Sequence, residues 1–371
     1  MPITFTNGRV LTGDVFRTDV SVTVEGDRII RVGPGHGPDG EVHDLGGAYL
    51  VPGFIDTQVN GGGGILFNDC PTADCIDAIG QAHRRFGTTG FLPTLISDDL
   101  SVIDTAITAV EEAIARGTPG VLGIHIEGPF LNASRKGVHD ASKFRTLDDD
   151  AIALLTRLKS GRTLVTLAPE TTTPAMITRL AQAGAVVAAG HTDADYATTR
   201  AALDAGMTGF THLFNAMPGL HHRDPGMVGA ALAHAEYAEI IPDLLHVHPG
   251  AIKTALRCIP KLFCVTDSTA AAGMPDGEYM LGRQVVHKCM GGVRLADGTL
   301  AGSTLTMDQA LRNLVKIGLP LEEACLRVST NAADYLGETR RGRLAPGCHA
   351  DFVVLDRELN IKAVYIEGEA L

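Results

Sequence analysis

The chain has 371 residues, 45% apolar and 20% charged, which is enough for one large core with a minor domain attached. Its formal net charge is −12 with no long basic run, which argues against a nucleic-acid surface, and no apolar stretch reaches the roughly 20 residues a membrane helix needs. Seven scattered cysteines, none in a Cys-x-x-Cys pair, suggest neither a zinc ribbon nor a disulfide framework and fit a reduced, cytoplasmic setting.

The start, Met1 to Gly8, lacks the basic and apolar segments of a signal peptide. Residues 1–49 read as β-structure. Thr4–Val10 and Asp19–Glu25 alternate with period two, Glu25-Gly-Asp-Arg28 is a turn into Ile29–Val32, and the Gly/Pro-rich stretch 33–44 is a loop. From residue 50 short apolar runs alternate with amphipathic stretches. Strands are expected to begin near Leu50, Gly90, Val121, Leu164, Ala185, Thr208, Ala238 and Leu262. Helices are expected over 74–86, 99–116, 148–159, 174–183, 194–205 and 250–258, with Asp99, Asp148 and Asp193 as N-caps and Gly184 and Gly206 just past helix ends. The glycine run 61–64 reads as a tight loop, since it lacks the Gly-Lys-Ser/Thr of a phosphate-binding loop. Residues 275–302 are turn-rich β, 307–318 and 320–336 helices, and 350–355 and 361–366 strands.

This alternation predicts an α/β chain: a (β/α)8 barrel over residues 50–340, with a small β-sandwich built from both chain ends, 1–49 and 341–371. The strand ends carry the polar residues. Glu127 closes the apolar run Val121–Ile126 and is stopped by Gly128-Pro129. A carboxylate there needs a cation to offset its burial. His191 and His212 also follow short apolar runs, so the three together make a metal site with one position open to water. Each alone reads as an ordinary strand-end residue. Asp267 ends Leu262–Asp267 and can take a proton from water activated by the metal, or simply cap the segment after it. His139 can donate to a substrate oxygen or lie solvated on its loop. Arg223 suits a phosphate or a surface ion pair.

Val51-Pro-Gly-Phe-Ile-Asp56, His125-Ile-Glu-Gly-Pro-Phe130, Ala189-Gly-His-Thr192, Thr211-His-Leu-Phe-Asn-Ala-Met217, Val265-Thr-Asp267 and Leu300-Ala-Gly-Ser303 resemble the N-acetylglucosamine-6-phosphate deacetylases of the amidohydrolase superfamily. The likeness runs over nearly the whole chain. It implies metal ligation by Glu127, His191 and His212, and proton transfer by Asp267. It implies substrate binding by His139, Val138, Asn215, Ala216, Arg223, His246 and the segment Leu300, Ala301, Gly302. It also implies a homodimer. Gln58 and Asn60 stand where many amidohydrolases carry His-x-His for a second metal, so one divalent ion is expected: Zn2+ first, with Fe2+, Co2+ or Mn2+ as alternatives. The implied reaction releases acetate from N-acetylglucosamine 6-phosphate. The rival readings are a deacetylase of N-acetylgalactosamine 6-phosphate or of N-acyl amino acids, and a non-catalytic barrel scaffold.

Overall fold

The computed structural model describes every residue except 36, 38, 282, 283 and 290. Its centre is a curled, six-stranded parallel sheet. The strands, each bonded to the next, are β1 (Phe54–Val59), β2 (Thr88–Ile96), β3 (Gly123–Glu127), β4 (Arg162–Leu167), β5 (Val186–Ala189) and β6 (Gly209–Phe210). A parallel pair, β7 (Tyr237–Ile240) and β8 (Lys261–Cys264), follows. The Leu213 amide donates to the Glu239 carbonyl at 2.8 Å, tying the segment after β6 to β7. At the other side Val59 bridges Ser268, and the Thr266 amide and hydroxyl donate to the Asp56 carboxylate at 3.1 and 2.6 Å.

These strands are short apolar runs buried on both faces, as parallel strands covered by helices must be. The covering helices carry one apolar stripe each. In α8 (Met307–Lys316) the stripe is Met307, Ala310, Leu311 and Leu314, a three-four spacing that puts all of them on the core side. Burying each leucine contributes about 2 kcal/mol. Asp148 caps α3 (Asp149–Leu155) through the Ala151 amide at 2.9 Å. Gly184 and Gly206, at φ of 99° and 109°, follow α4 (Pro174–Gln182) and α5 (Tyr196–Asp204).

Several local expectations are corrected. Asp195, not Asp193, caps α5, because Asp193 pairs with Arg135 instead. Asp99 makes no capping bond and pairs with Lys143. Residues 320–336 form two helices, α9 (Leu321–Val328) and α10 (Thr330–Leu336), because Ser329 leaves the helical region and its hydroxyl donates to the Cys325 carbonyl. A further helix, α6 (Gly226–His234), is buried through Ala231; apolar nearly all round, it gives no amphipathic signal. Cys70 and Cys75 form a disulfide, which the scattered spacing of the cysteines did not suggest. Cys70 precedes Thr72, the cap of α1 (Ala73–Arg84), and Cys75 lies in its first turn, which brings their Cα atoms to 6.1 Å.

Strands from both chain ends form two further sheets. One orders Arg28–Gly33, Ser21–Glu25, Ile3–Thr6 and Glu41–Asp44. The other joins Phe352–Leu355 to Tyr49–Pro52 and Arg9–Thr12. So the strand expected near Leu50 is split: Tyr49–Pro52 belongs to this outer sheet, and β1 begins only at Phe54. Within 33–44, read as a loop, 41–44 is a strand paired with Ile3–Thr6; residues 36 and 38 lie outside the described residues. The two sheets share a core in which the Phe5 ring lies 5.0 Å from Phe352 and 5.1 Å from Tyr365.

After β8 comes an antiparallel sheet, β9 (Gly277–Leu281), β10 (Gln284–Cys289) and β11 (Gly292–Arg294), as the turn-rich stretch predicts; residues 282, 283 and 290 lie outside the described residues.

Candidate metal centre

Glu127 ends β3, and His191 and His212 stand two residues past the ends of β5 and β6. Three strands of one parallel sheet, β3 and, beyond β4, the adjacent pair β5 and β6, therefore deliver three polar side chains to one end of the sheet. All three are buried. The Nε2 atoms of His191 and His212 lie 3.2 and 2.9 Å from Glu127 Oε1 and 3.1 Å from each other. Ligand atoms set tetrahedrally around one zinc-sized ion are roughly 3.3–3.5 Å apart, so a slight outward movement admits such an ion.

The hydrogen bonds behind the rings set which nitrogens face the centre. His191 Nδ1 donates to the Arg135 carbonyl at 2.8 Å, which leaves the Nε2 lone pair free for a metal. His139 is the reverse case. Its Nδ1 accepts from the Ser97 amide at 3.3 Å and meets the Ser97 hydroxyl at 2.8 Å. Burial, with the neighbouring His191, pushes the His139 ring down to about 3, so it is neutral and carries its proton on Nε2. That Nε2 lies 3.9 Å from Glu127 Oε2. Glu127, His139 and His191 are also close enough to hold an ion together. The tautomer instead makes His139 a donor and favours His212 as the third ligand.

Burial opposes the charge on Glu127, but hydrogen bonds from His191 and His212 outweigh it and hold the carboxyl well below its usual value. Burial likewise opposes a charged His212, yet Glu127 lifts it to about 9. Without a metal, a proton therefore sits where an ion would. Asp267, half-buried, accepts from Asn60 Nδ2 at 2.7 Å; burial and the Glu127 charge raise it to about 6. His191, His212 and Asp267 adopt φ of 49°, 34° and 49°, the left-handed region that residues with a Cβ enter at a cost.

A cavity of about 460 Å3 opens onto these groups. Of the residues singled out from sequence, Asn60, Glu127, Val138, His139, His191, His212, Asn215, Ala216, His246, Asp267, Leu300 and Gly302 line it. His246 is fixed by Asp243, whose Oδ2 lies 2.6 Å from its Nδ1. Ala301 is buried behind the wall. Gln58 lies buried outside the lining, both of its amide atoms without a hydrogen bond among the described residues. Arg223 stands on an exposed loop and does not line the cavity. Arg294, Thr269 and Thr299 do line it and were not foreseen. Nothing in the stretch Val293-Arg-Leu295 distinguishes its arginine from any other on a strand.

The amidohydrolase family profile matches residues 49–371. An N-acetylgalactosamine-6-phosphate deacetylase of Shewanella sp. is 43% identical over 87% of this chain and 83% of its own length. An N-acetylglucosamine-6-phosphate deacetylase of Vibrio furnissii is 36% identical over 97% and 92%. The crystal structure of the N-acetylglucosamine-6-phosphate deacetylase of Pasteurella multocida superposes with a TM-score of 0.96, at 30% identity and full coverage of both chains. A mutant of the Mycobacterium smegmatis enzyme, in complex with N-acetyl-D-glucosamine-6-phosphate, gives 0.91 at 36% identity, covering 100% of this chain and 98% of that one. The chain belongs to the amidohydrolase family, alongside the N-acetylglucosamine-6-phosphate deacetylases.

Proposed function

We propose that this protein hydrolyses the acetamide of N-acetylglucosamine 6-phosphate, giving glucosamine 6-phosphate and acetate. The observation that carries this reading is the convergence of Glu127, His191 and His212 on one point of a cavity that Asp267 and His139 also line. We assign one divalent ion, Zn2+, to those three ligands. Such an ion, when bound, supplies a Lewis acid and makes water more acidic.

The chain's own groups divide the remaining work. His139 Nε2–H donates to the acetyl carbonyl oxygen and stabilises the negative charge that grows there. Asp267 takes a proton from the attacking water and returns it to the departing amine. Asn60 holds the carboxylate of Asp267 in place. Asn215, Ala216, His246, Val138, Leu300 and Gly302 bound the space for the sugar. Ala301 supports that wall from behind. Arg223, the cation expected to meet the phosphate, would have to do so from outside the cavity lining.

We read the curled sheet and the β7–β8 pair as a closed (β/α)8 barrel, residues 50–340, and the two outer sheets as a β-sandwich from 1–49 and 341–371, with the handover on Tyr49–Pro52. A cytoplasmic homodimer completes the reading; no helix among the described residues is long and apolar enough to cross a membrane.

A second substrate, N-acetylgalactosamine 6-phosphate, is favoured by the deacetylases of that sugar from Shewanella and Escherichia coli, at 43% and 41% identity. The test is acetate release from both epimers by zinc-loaded protein, with metal counted by elemental analysis. The glucosamine phosphate is expected to give the higher kcat/KM. A higher value for the galacto epimer would reassign the substrate, and no release from either would remove the deacetylase reading.

A further inference from the structure

We infer that Glu170 is a positioning residue for His191, fixing the backbone and the ring of that histidine by tying together the two loops that hold it. The inference deepens the proposed function and rests on it for the identity of the ion; the geometry stands apart from it. Glu170 follows β4, the strand between β3 and β5, and so stands at the same end of the sheet as Glu127 and His191. It does not line the cavity.

The half-buried carboxylate takes three donors from two separate loops. Oε1 accepts from Asn132 Nδ2 at 2.8 Å and from the Asp193 amide at 2.7 Å, and Oε2 accepts from the Thr192 hydroxyl at 2.6 Å. All three donors are neutral, so the carboxylate is spent on the loops and not on an ion pair. Hydrogen bonds to a charged acceptor are roughly twice as strong as neutral ones.

Each donor adjoins His191. Thr192 and Asp193 are the next two residues of the chain. The Asn132 amide donates to the His191 carbonyl at 3.0 Å, and the turn that Asn132 begins presents the Arg135 carbonyl to His191 Nδ1 at 2.8 Å. The Arg135 side chain adds a more exposed link, to Asp193 Oδ1 at 2.7 Å. His191 has φ of 49°, a conformation that a residue with a Cβ keeps only where its surroundings hold it. Without Glu170 the 132–135 turn and the 192–193 segment are free to part. The bond that keeps the Nδ1 proton on the Arg135 side, and so directs the Nε2 lone pair to the centre, weakens with them.

The test compares E170A, E170D, E170Q and D195A with the parent. Zinc affinity is measured by chelator competition. The His191 Nδ1 proton is followed by magnetic resonance in metal-free protein labelled at histidine, and assigned by its absence in H191Q. E170A loses all three bonds and E170D is too short to span them, so both are expected to bind zinc about tenfold more weakly or worse and to lose protection of that proton. E170Q keeps the length, its amide oxygen can serve Asn132 and Asp193, and the Thr192 hydroxyl can accept from its NH2; it is expected to stay within about threefold of the parent. If E170A does not fold, the contrast between E170D and E170Q decides. Asp195 caps α5 through the Thr198 amide at 2.7 Å, and D195A should lower the melting temperature without changing zinc affinity. Parent-like zinc affinity with a protected Nδ1 proton in E170A and E170D, or a loss in D195A equal to theirs, overturns the assignment. If the parent binds zinc but releases no acetate, the deacetylase reading fails alone and zinc affinity still decides Glu170; if it binds no zinc, the metal reading fails and the Nδ1 proton decides.

Discussion

Two histidines of the centre are distinguished by one hydrogen bond each. His191 gives its Nδ1 proton to a carbonyl and so offers a lone pair; His139 receives an amide proton at Nδ1 and so offers an N–H. The sequence carries the first half of this. Glu127, His191 and His212 each follow an apolar run, and a residue there must emerge at the sheet's edge. It does not carry the second half, because Ser97 is 42 residues from His139 and nothing local marks it. Arg294 was missed for the same reason: only folding brings β11 to the cavity. Asp267 tests the chemistry at this scale. Its carboxylate lines the cavity, anchored by Asn60, and lies outside the trio of converging atoms. Asp267→Asn keeps size and burial and removes the proton acceptor. Turnover should fall by about 10²–10⁴-fold, while zinc content by elemental analysis stays near that of the parent. Near-normal turnover would take Asp267 out of the mechanism.

At the level of strands and helices, the apolar runs were readable because parallel strands bury both faces, and the amphipathic helices because their stripes repeat at three and four. The failures have equally physical sources. The expected strand at Leu50 combined two short strands of different sheets, since both are apolar and only Gly53 separates them. Glu41–Asp44 pairs with the first strand through partners nearly 40 positions away, so its polar composition hid it. β3 is the element on which the centre depends most, and its first residue is a glycine for a definite reason. Gly123 has φ of 149°, and a Cβ there would lie 1.9 Å from the Arg162 carbonyl oxygen of β4. Backbone cannot yield as a side-chain tip can. Gly123→Ala should therefore push β3 from β4, cost about 2 kcal/mol or more, and displace Glu127. Denaturant unfolding and zinc affinity should both weaken in this variant, and a parent-like midpoint would mean that the strand ends are looser than drawn.

Across the whole molecule, acids are buried beneath the centre, held by contacts that no local pattern announces. Thr57 donates to Glu239 Oε1 at 2.5 Å across 182 residues, and Thr266 to Asp56 across 210. Burial raises Asp56 to about 7 and Glu239 to about 8; His212, where Glu127 outweighs burial, rises to about 9. All three bind protons more tightly folded than unfolded. Their contribution to stability is therefore complete below the unfolded values and lost as pH climbs through the folded ones. The chelator-stripped protein should then melt at progressively lower temperature between about pH 6.5 and 9. Zinc opposes this trend. It needs the His212 lone pair, so it binds better as that proton leaves, and binding to the folded state alone raises the melting point. Scanning calorimetry of stripped and zinc-loaded protein should show two curves that diverge with rising pH. Glu239→Gln, which keeps a neutral side chain at every pH, should flatten the stripped curve up to about pH 8. If the stripped melting temperature instead holds or rises over this range, the buried acids are already ionised in the folded chain and the proton at the centre is not held as the geometry requires.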